Sequence, residues 1–288
     1  MEKYLKIKSS VKYIDVSHKM KVIILDSRKD QSKKAPFILW IHGGGYSLGM
    51  PEMVYASRVR DLLKRYELVV ASPAYTLSYK APYPAALKDC YQTLLYAKNN
   101  SLELGIDTNK MMIGGESAGG GLALAVGIYA RDQKEVDIKY MFPLYPMIDC
   151  DDTVSSKNNH AFVWNTRRNH RAWRRYLRET KDIDPYVSPA KLDDFTGLAP
   201  FYTFVADGEP FYYETVNFTE RAKKAGIDAK CDVYHSRTHA FDLYYPWSKN
   251  GKLVKKRFIE NYDYVNKKYL WGVYEKKIFN KYIFKRCR

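Results

Sequence analysis

The sequence lacks most of the features that mark specialised classes of protein. Its four cysteines, Cys90, Cys150, Cys231 and Cys287, are scattered and form no C-x-x-C pair. This distribution argues against a disulfide framework or a zinc site and predicts reduced thiols in a cytoplasmic protein. No apolar run approaches the roughly 20 residues of a membrane helix, and the N-terminus has no apolar core of signal-peptide length. Low-complexity tracts and internal repeats are also absent.

Acidic residues are scarce relative to basic ones. The 288 residues include 48 Lys and Arg against 32 Asp and Glu, for a net charge of +16. The excess is concentrated in residues 167–178 and 252–288. Because neither stretch carries a recognition motif, we interpret both as solvated helix faces and expect neither nucleic acid nor a membrane as a partner. For the basic aromatic extension at about 270–288, docking on the body or pairing in a homodimer is favoured over a membrane surface.

The chain does contain an alternation of short apolar runs and helical patterns. Runs of strand length lie at 11–16, 20–25, 37–41, 68–72, 109–114, 139–145, 201–206 and 229–234. Helical patterns lie at about 54–65, 85–98, 120–126, 213–225 and 252–269. This alternation predicts an α/β protein, with a mostly parallel sheet covered by helices on both faces. We interpret residues 1–288 as one domain with a polar and basic insertion at about 149–198.

The pentapeptide Gly115-Glu116-Ser117-Ala118-Gly119 stands between a predicted strand and a predicted helix. A serine held there by flanking glycines presents its hydroxyl above the sheet, which is the arrangement of a nucleophile elbow. The turn is so tight that the positions two before and two after the serine must be small. Ser117 is therefore the candidate nucleophile.

Acyl transfer by a serine also needs a base, an acid that orients the base, and donors for the oxyanion. His239 is the candidate base, and His235 is a competitor close to the end of a strand. Asp207 and Glu209, which follow the strand 201–206, are both candidates for the acid. Either carboxylate could accept the Nδ1–H of the imidazole and leave Nε2 free for the serine.

The oxyanion donors are expected from a glycine-rich turn. Gly43, Gly44 and Gly45 follow a buried strand and His42, and their backbone is uncovered, so amides could approach a substrate closely. The backbone N–H of Ala118 would complete the set. We expect His42 to order this loop by hydrogen bonding and not to act as a base.

The joint spacing of these motifs resembles the hormone-sensitive-lipase-like family of α/β-hydrolases. The matching segments are HGGGY at 42–46, PYPAALKD at 82–89, GESAGG at 115–120, EPFYYET at 209–215 and HAF at 239–241. The resemblance covers roughly residues 20–245 and implies an α/β-hydrolase fold with a small lid. It also implies that Glu209 stands at the acid position, with Asp207 as the alternative, and it favours His239 over His235.

Members of the resembled family commonly carry an N-terminal helical cap over the active site. Only 41 residues precede His42 in this sequence, and much of that stretch has strand patterns. We therefore expect the insertion at about 149–198 to form the lid. Four aromatic side chains there could line the pocket or pack in the core: Phe162, Trp164, Trp173 and Tyr176.

The expected function is that of a serine carboxylesterase. It would hydrolyse small, short-acyl esters through an acyl-enzyme, with a small-molecule ester as its partner and with no metal or cofactor. An amidase or peptidase on the same fold and a non-catalytic binder of small ligands are the alternatives.

Overall fold

The computed structural model describes residues 4–178 and 180–270. Within them an eight-stranded sheet runs through the centre of the protein in the order β1-β2-β4-β3-β5-β6-β7-β8. The strands are β1 (Lys8–Asp15), β2 (Lys19–Asp26), β3 (Ala35–Ile41), β4 (Val69–Pro73), β5 (Ile106–Glu116), β6 (Tyr140–Leu144), β7 (Phe201–Ala206) and β8 (Ala229–Tyr234). The pairs β1/β2 and β2/β4 are antiparallel, and the other pairs are parallel.

Helices connect the strands. They are α1 (Val59–Leu63), α2 (Ala85–Asn99), α3 (Ser101–Leu104), α4 (Ala118–Gln133), α5 (Thr166–Leu177), α6 (Tyr212–Lys224), α7 (Phe241–Tyr244) and α8 (Lys249–Val265). Short 3-10 helices span Pro51–Ala56 and Pro189–Lys191, and a π-helical turn spans Asn266–Leu270.

The helix predicted at about 54–65 is the clearest difference in secondary structure. It is interrupted at Ser57, whose φ of −81° and ψ of 168° are extended, so a 3-10 helix precedes α1. The last helix also begins earlier than predicted, because the Ser248 side chain caps it by accepting a hydrogen bond from the Gly251 N–H.

The central strand β3 shows why the sheet needs helices on both faces. Its side chains alternate between two apolar layers: Phe37 and Leu39 pack on the face that carries α2 and α4, while Ile38 and Trp40 pack on the face that carries α1 and α8. Both sets are completely buried. A parallel strand buried on both sides has a continuous apolar sequence, as this one does. The predicted α/β architecture, a mostly parallel sheet covered by helices on both faces, is therefore confirmed.

One edge of the sheet collects the polar side chains. Strands β3, β5, β7 and β8 run in parallel, and each is followed by a residue predicted for the site: His42, Ser117, Glu209 and His239. Ligands bind beyond the carboxyl ends of such strands. The candidate site therefore lies at this edge.

The segment between β6 and β7 includes the insertion predicted at 149–198, and it carries α5 and a 3-10 helix. Its role as a lid stays a prediction. The C-terminal extension predicted at about 270–288 lies, from residue 271, outside the described residues. Across the part of the chain that is described, no helix combines the length and the apolar character that crossing a bilayer requires.

Candidate active site

Ser117 sits on a strained turn between β5 and α4. Its φ of 59° and ψ of −121° are conformations that a residue with a side chain rarely adopts. The flanking glycines explain how the turn closes. A Cβ on Gly115 would lie 2.3 Å from the carbonyl oxygen of Gly119, and one on Gly119 would lie 2.1 Å from that of Ile41. Any larger residue would therefore open the turn that aims the serine.

The structure brings Ser117, His239 and Glu209 together in one hydrogen-bonded line. The Oγ of Ser117 lies 2.8 Å from Nε2 of His239. On the other side of the ring, Nδ1 of His239 bonds to Oε2 of Glu209. Since a carboxylate can only accept, Nδ1 carries the proton, and Nε2 is left to accept the serine hydroxyl proton. All three side chains are buried, with relative exposures of 8%, 4% and 1%.

Glu209 is held rigidly behind the histidine. Its second oxygen, Oε1, accepts a hydrogen bond of 2.9 Å from the N–H of Ala206, at the end of β7. Around the imidazole, the ring of Phe211 lies edge-on at 5.0 Å and that of Tyr145 edge-on at 5.2 Å, measured between ring centroids. These apolar neighbours exclude water from the ion pair that would form when the imidazole takes up a proton.

The other candidate acid and base pair with each other, away from Ser117. Oδ2 of Asp207 lies 2.8 Å from Nδ1 of His235, and its Oδ1 accepts from the N–H of Ser236. The His235 side chain is 98% exposed. Asp207 directly follows β7, and its side chain points outward to the solvent-exposed end of β8, whereas the turn after Asp207 carries Glu209 inward.

The glycine loop lies directly against the serine. A Cβ on Gly43 would come within 3.3 Å of the Cβ of Ser117. Gly44 and Gly45 have positive φ angles of 119° and 57°, which allow the loop to fold back with its amides uncovered. Among the described residues, the N–H groups of Gly44, Gly45 and Ala118 have no hydrogen-bond acceptor. The amide of Ala118 is at the start of α4, where backbone donors have no partner within the helix.

His42 has the contacts expected of a residue that orders this loop. Its Nδ1 donates to the carbonyl oxygen of Gly43 at 2.8 Å. The ring stacks on Tyr75 at 4.2 Å, and the hydroxyl of Tyr75 donates to the carbonyl oxygen of His42. Burial lowers the pKa of His42 to about 4, so the ring stays neutral near pH 7.

Beneath the elbow lies a buried polar network that the sequence analysis did not identify. Oε1 of Glu116 accepts a 2.9 Å hydrogen bond from the N–H of Arg58. The guanidinium of Arg58 forms ion pairs of 3.1 Å with Asp61 and with Asp242, in α7. Because Asp242 follows His239 by three residues, the network ties the histidine loop to the elbow. No motif marks Arg58, and only its contacts in the folded chain reveal this role.

Ser117 opens into a cavity of about 520 Å³. Of the four aromatic residues considered for either its wall or the core, only Trp164 lines it. Trp173 and Tyr176 are buried in the core, where Tyr176 stacks on Tyr46 at 4.1 Å, while Phe162 is 90% exposed. The periodicity of α5 explains why Trp173 and Tyr176 are buried, because the buried face of this helix is formed by residues 169, 172, 173 and 176, whereas Phe162 and Trp164 precede the helix.

Outside this cavity, a lysine pairs with a group of residues that could otherwise hold a cation. Asp149, Cys150 and Asp151 bring three ligand atoms together at the start of the insertion. The ammonium of Lys191 pairs with both carboxylates there. This group lies outside the cavity of Ser117, and we assign it no role in the candidate site.

Comparisons with known proteins agree with this geometry. A model of the family described as "alpha/beta hydrolase fold" matches residues 38–243, so the chain belongs to that family. The resemblance to its hormone-sensitive-lipase-like carboxylesterase branch, predicted from the motifs, is confirmed.

Individual relatives are distant. An arylesterase of Saccharolobus solfataricus is 29% identical over 208 residues, which cover 71% of this chain and 67% of the relative. An esterase of Acinetobacter venetianus is 28% identical over 233 residues, covering 78% and 73%. Among solved structures, a bacterial heroin esterase superposes with a TM-score of 0.80 at 27% identity, covering 89% of this chain and 82% of the other.

Proposed function

We propose that this protein is a serine carboxylesterase that hydrolyses small esters with short acyl groups. The observation that carries the proposal is the line from Ser117 through His239 to Glu209, which opens into a cavity beside uncovered backbone amides. The similar proteins, an arylesterase, an esterase and a heroin esterase, support the same class of reaction.

The reaction proceeds in two halves. Ser117 Oγ attacks the ester carbonyl carbon while Nε2 of His239 takes the hydroxyl proton, and Glu209 stabilises the imidazolium. The carbonyl oxygen becomes an oxyanion that the amides of the glycine loop and of Ala118 bind. Collapse of this intermediate breaks the bond to the alcohol oxygen, which receives the proton from His239. Water then attacks the acyl-serine by the same steps, which releases the acid and restores Ser117.

The cavity supports small substrates. Its volume of about 520 Å³ falls within the range of about 300–1,000 Å³ for small-molecule sites, and it must hold both halves of the ester. Trp164 limits the space above the glycine loop, since a Cβ on Gly45 would lie 2.3 Å from its indole ring. A long alkyl chain would have to leave this space.

A panel of 4-nitrophenyl esters tests the proposal. We expect kcat/KM to be highest between acetyl and hexanoyl and to fall at least about tenfold by decanoyl, since a chain that leaves the cavity loses its apolar contacts. A fluorophosphonate should label Ser117, as peptide mass spectrometry would show. Failure of every ester together with an unlabelled Ser117 would refute the proposal, and preferential cleavage of 4-nitroacetanilide would indicate an amidase instead.

Replacing Gly44 by alanine tests the oxyanion loop. The new Cβ would lie 2.1 Å from the carbonyl oxygen of Leu48 at a φ of 119°, so the loop must move. Displacing the amides should lower kcat on 4-nitrophenyl acetate by about 100-fold, the effect of losing an oxyanion donor. Gly226→Ala is the control, because its φ is 85° but no atom lies within 4 Å of the new Cβ. That variant should lose about 1–2 kcal/mol of stability and retain kcat. Equal kcat values for the two variants would contradict this role of the loop.

A further inference from the structure

Three arginines of α5 line the cavity that contains Ser117. They are Arg168, Arg171 and Arg175, spaced three and four residues apart, so they form a stripe along one side of the helix. This stripe lies beside the buried face of α5. Ala172, which belongs to that buried face, lines the same cavity. The arginines are therefore fixed on a rigid element at the wall of the candidate active site.

The cavity offers no anion that neutralises these charges. Glu116 is the only acidic residue among the described residues that line it. Burial raises the pKa of Glu116 to about 8, and its Oε1 is occupied by the N–H of Arg58. Within residues 4–178 and 180–270, Arg171 and Arg175 have no hydrogen bond or ion pair through their side chains. In the same part of the chain, the guanidinium of Arg168 donates only to the carbonyl oxygens of Phe162 and Val163, which carry no charge.

The concentration of arginine carries an electrostatic cost for α5. The helix contains no acidic residue, and its arginines are Arg167, Arg168, Arg171, Arg174 and Arg175. Like charges three or four residues apart repel each other, and cations in the first turn oppose the helix dipole. Asp152, which approaches this helix, bonds to His170 instead, at 2.8 Å. Features that destabilise an element locally are characteristic of functional sites.

The rest of the cavity lining is largely apolar. It includes Leu48 and Met53, from the stretch that follows the glycine loop, and Leu243 and Tyr244, from α7. The cavity therefore combines cationic side chains from α5 with apolar side chains from other segments. An ester bound at Ser117 has two halves, so one half can meet the arginines while the other packs on the apolar side chains.

From the unpaired arginines in this lining we propose that the protein acts on esters that carry a carboxylate on one half, with Arg171 and Arg175 as the groups that bind it. The inference rests on the proposed esterase function and specifies its substrate class. Guanidinium groups suit this task because they stay charged and donate two parallel hydrogen bonds to a carboxylate. The uncharged half of the substrate would pack on Leu48, Met53 and Leu243.

Two pairs of esters test which half carries the charge. On the acyl side, mono(4-nitrophenyl) adipate is compared with 4-nitrophenyl hexanoate, which has the same leaving group. On the alcohol side, 4-acetoxybenzoate is compared with its methyl ester. The readout is the ratio of kcat/KM for the anionic ester to that for the neutral ester. We expect Arg171→Gln/Arg175→Gln to lower this ratio about tenfold in one pair, equivalent to about 1.4 kcal/mol.

A matched variant on the same helix provides the control. Arg167→Gln/Arg174→Gln also removes two positive charges, but neither residue lines the cavity of Ser117. Its ratio should stay within about twofold of the wild type. The wild-type ratio should also fall as salt is raised from 0.01 to 0.5 M, because exposed charges are screened. Equal losses in the two double variants, or an unchanged ratio in both ester pairs, would overturn the proposal.

A binding measurement separates this inference from the esterase proposal. Calorimetry on Ser117→Ala should show that 4-acetoxybenzoate binds at least about tenfold more tightly than its methyl ester, and that adding Arg171→Gln/Arg175→Gln removes the difference. Binding of this kind without turnover by the wild type would refute the esterase and retain the anion site. Turnover of neutral esters with equal binding of the two ligands would refute only the anion site.

Discussion

Ser117→Ala should lower kcat on 4-nitrophenyl butyrate by about 10⁴-fold or more, the largest effect expected of any single change in this chain. Without Oγ no acyl-enzyme can form, and His239 has no hydroxyl to deprotonate. In serine hydrolases, loss of the nucleophile can lower kcat by about 10⁶-fold. The rate that remains comes from substrate binding and from the oxyanion donors. The measurement is a steady-state assay with enough enzyme to detect 10⁻⁵ of the wild-type rate.

Ser47→Ala is the matched control for that change. Ser47 also lines the cavity, but its Oγ bonds to Oγ of Ser78 at 2.7 Å and is not in the line to His239. We expect kcat to fall no more than about threefold, since the one hydrogen bond that is lost is not part of the line from Ser117 to His239. Ser117→Ala should also resist labelling by a fluorophosphonate, while Ser47→Ala should react like the wild type. Substantial turnover by Ser117→Ala would contradict the proposed nucleophile.

Several parts of the fold could be predicted from sequence because local pattern and tertiary environment agree. Strands β7 and β8 have the predicted bounds, 201–206 and 229–234, and each ends at the turn or loop that carries a candidate site residue. The elbow could be predicted for a stronger reason. The φ and ψ of Ser117 require small neighbours, so the constraint is visible in the sequence as Gly115 and Gly119.

Other features depend on contacts between distant segments and leave no local pattern. Arg58 reaches Asp242 across 184 positions of sequence. Similarly, the sequence does not reveal that Trp164 lines the cavity while Trp173 packs on Tyr46. The place of Trp164 depends on the path of the loop before α5, and that of Trp173 depends on how α5 is rotated against the body. The residues alone leave the choice between Asp207 and Glu209 open for the same reason, since only the path of the turn decides which carboxylate faces inward, and the resemblance to the family is what favours Glu209.

Glu209→Gln should lower kcat by about 10³-fold, whereas Asp207→Asn should lower it less than about threefold. The amide oxygen of a glutamine at 209 could still accept the N–H of Ala206, as Oε1 of Glu209 does at 2.9 Å. Its NH₂ group would then face Nδ1 of His239 as a donor. This favours the tautomer with the proton on Nε2, which cannot accept the proton of Ser117, and it removes the charge that stabilises the imidazolium.

Asp207→Asn is an equivalent carboxylate-to-amide change two residues away, and it affects only the exposed pair with His235. Thermal unfolding of both variants separates loss of the acid from loss of the fold. The variant Glu209→Asp provides a second test. The shorter acid keeps the charge and the accepting oxygen, so it should recover part of the rate that Glu209→Gln loses, although its carboxylate is one methylene further from His239. If Asp207→Asn lowered kcat more than Glu209→Gln does, the assignment would be reversed and Asp207 would be the acid. Equal, small losses in both would mean that His239 works without an orienting carboxylate.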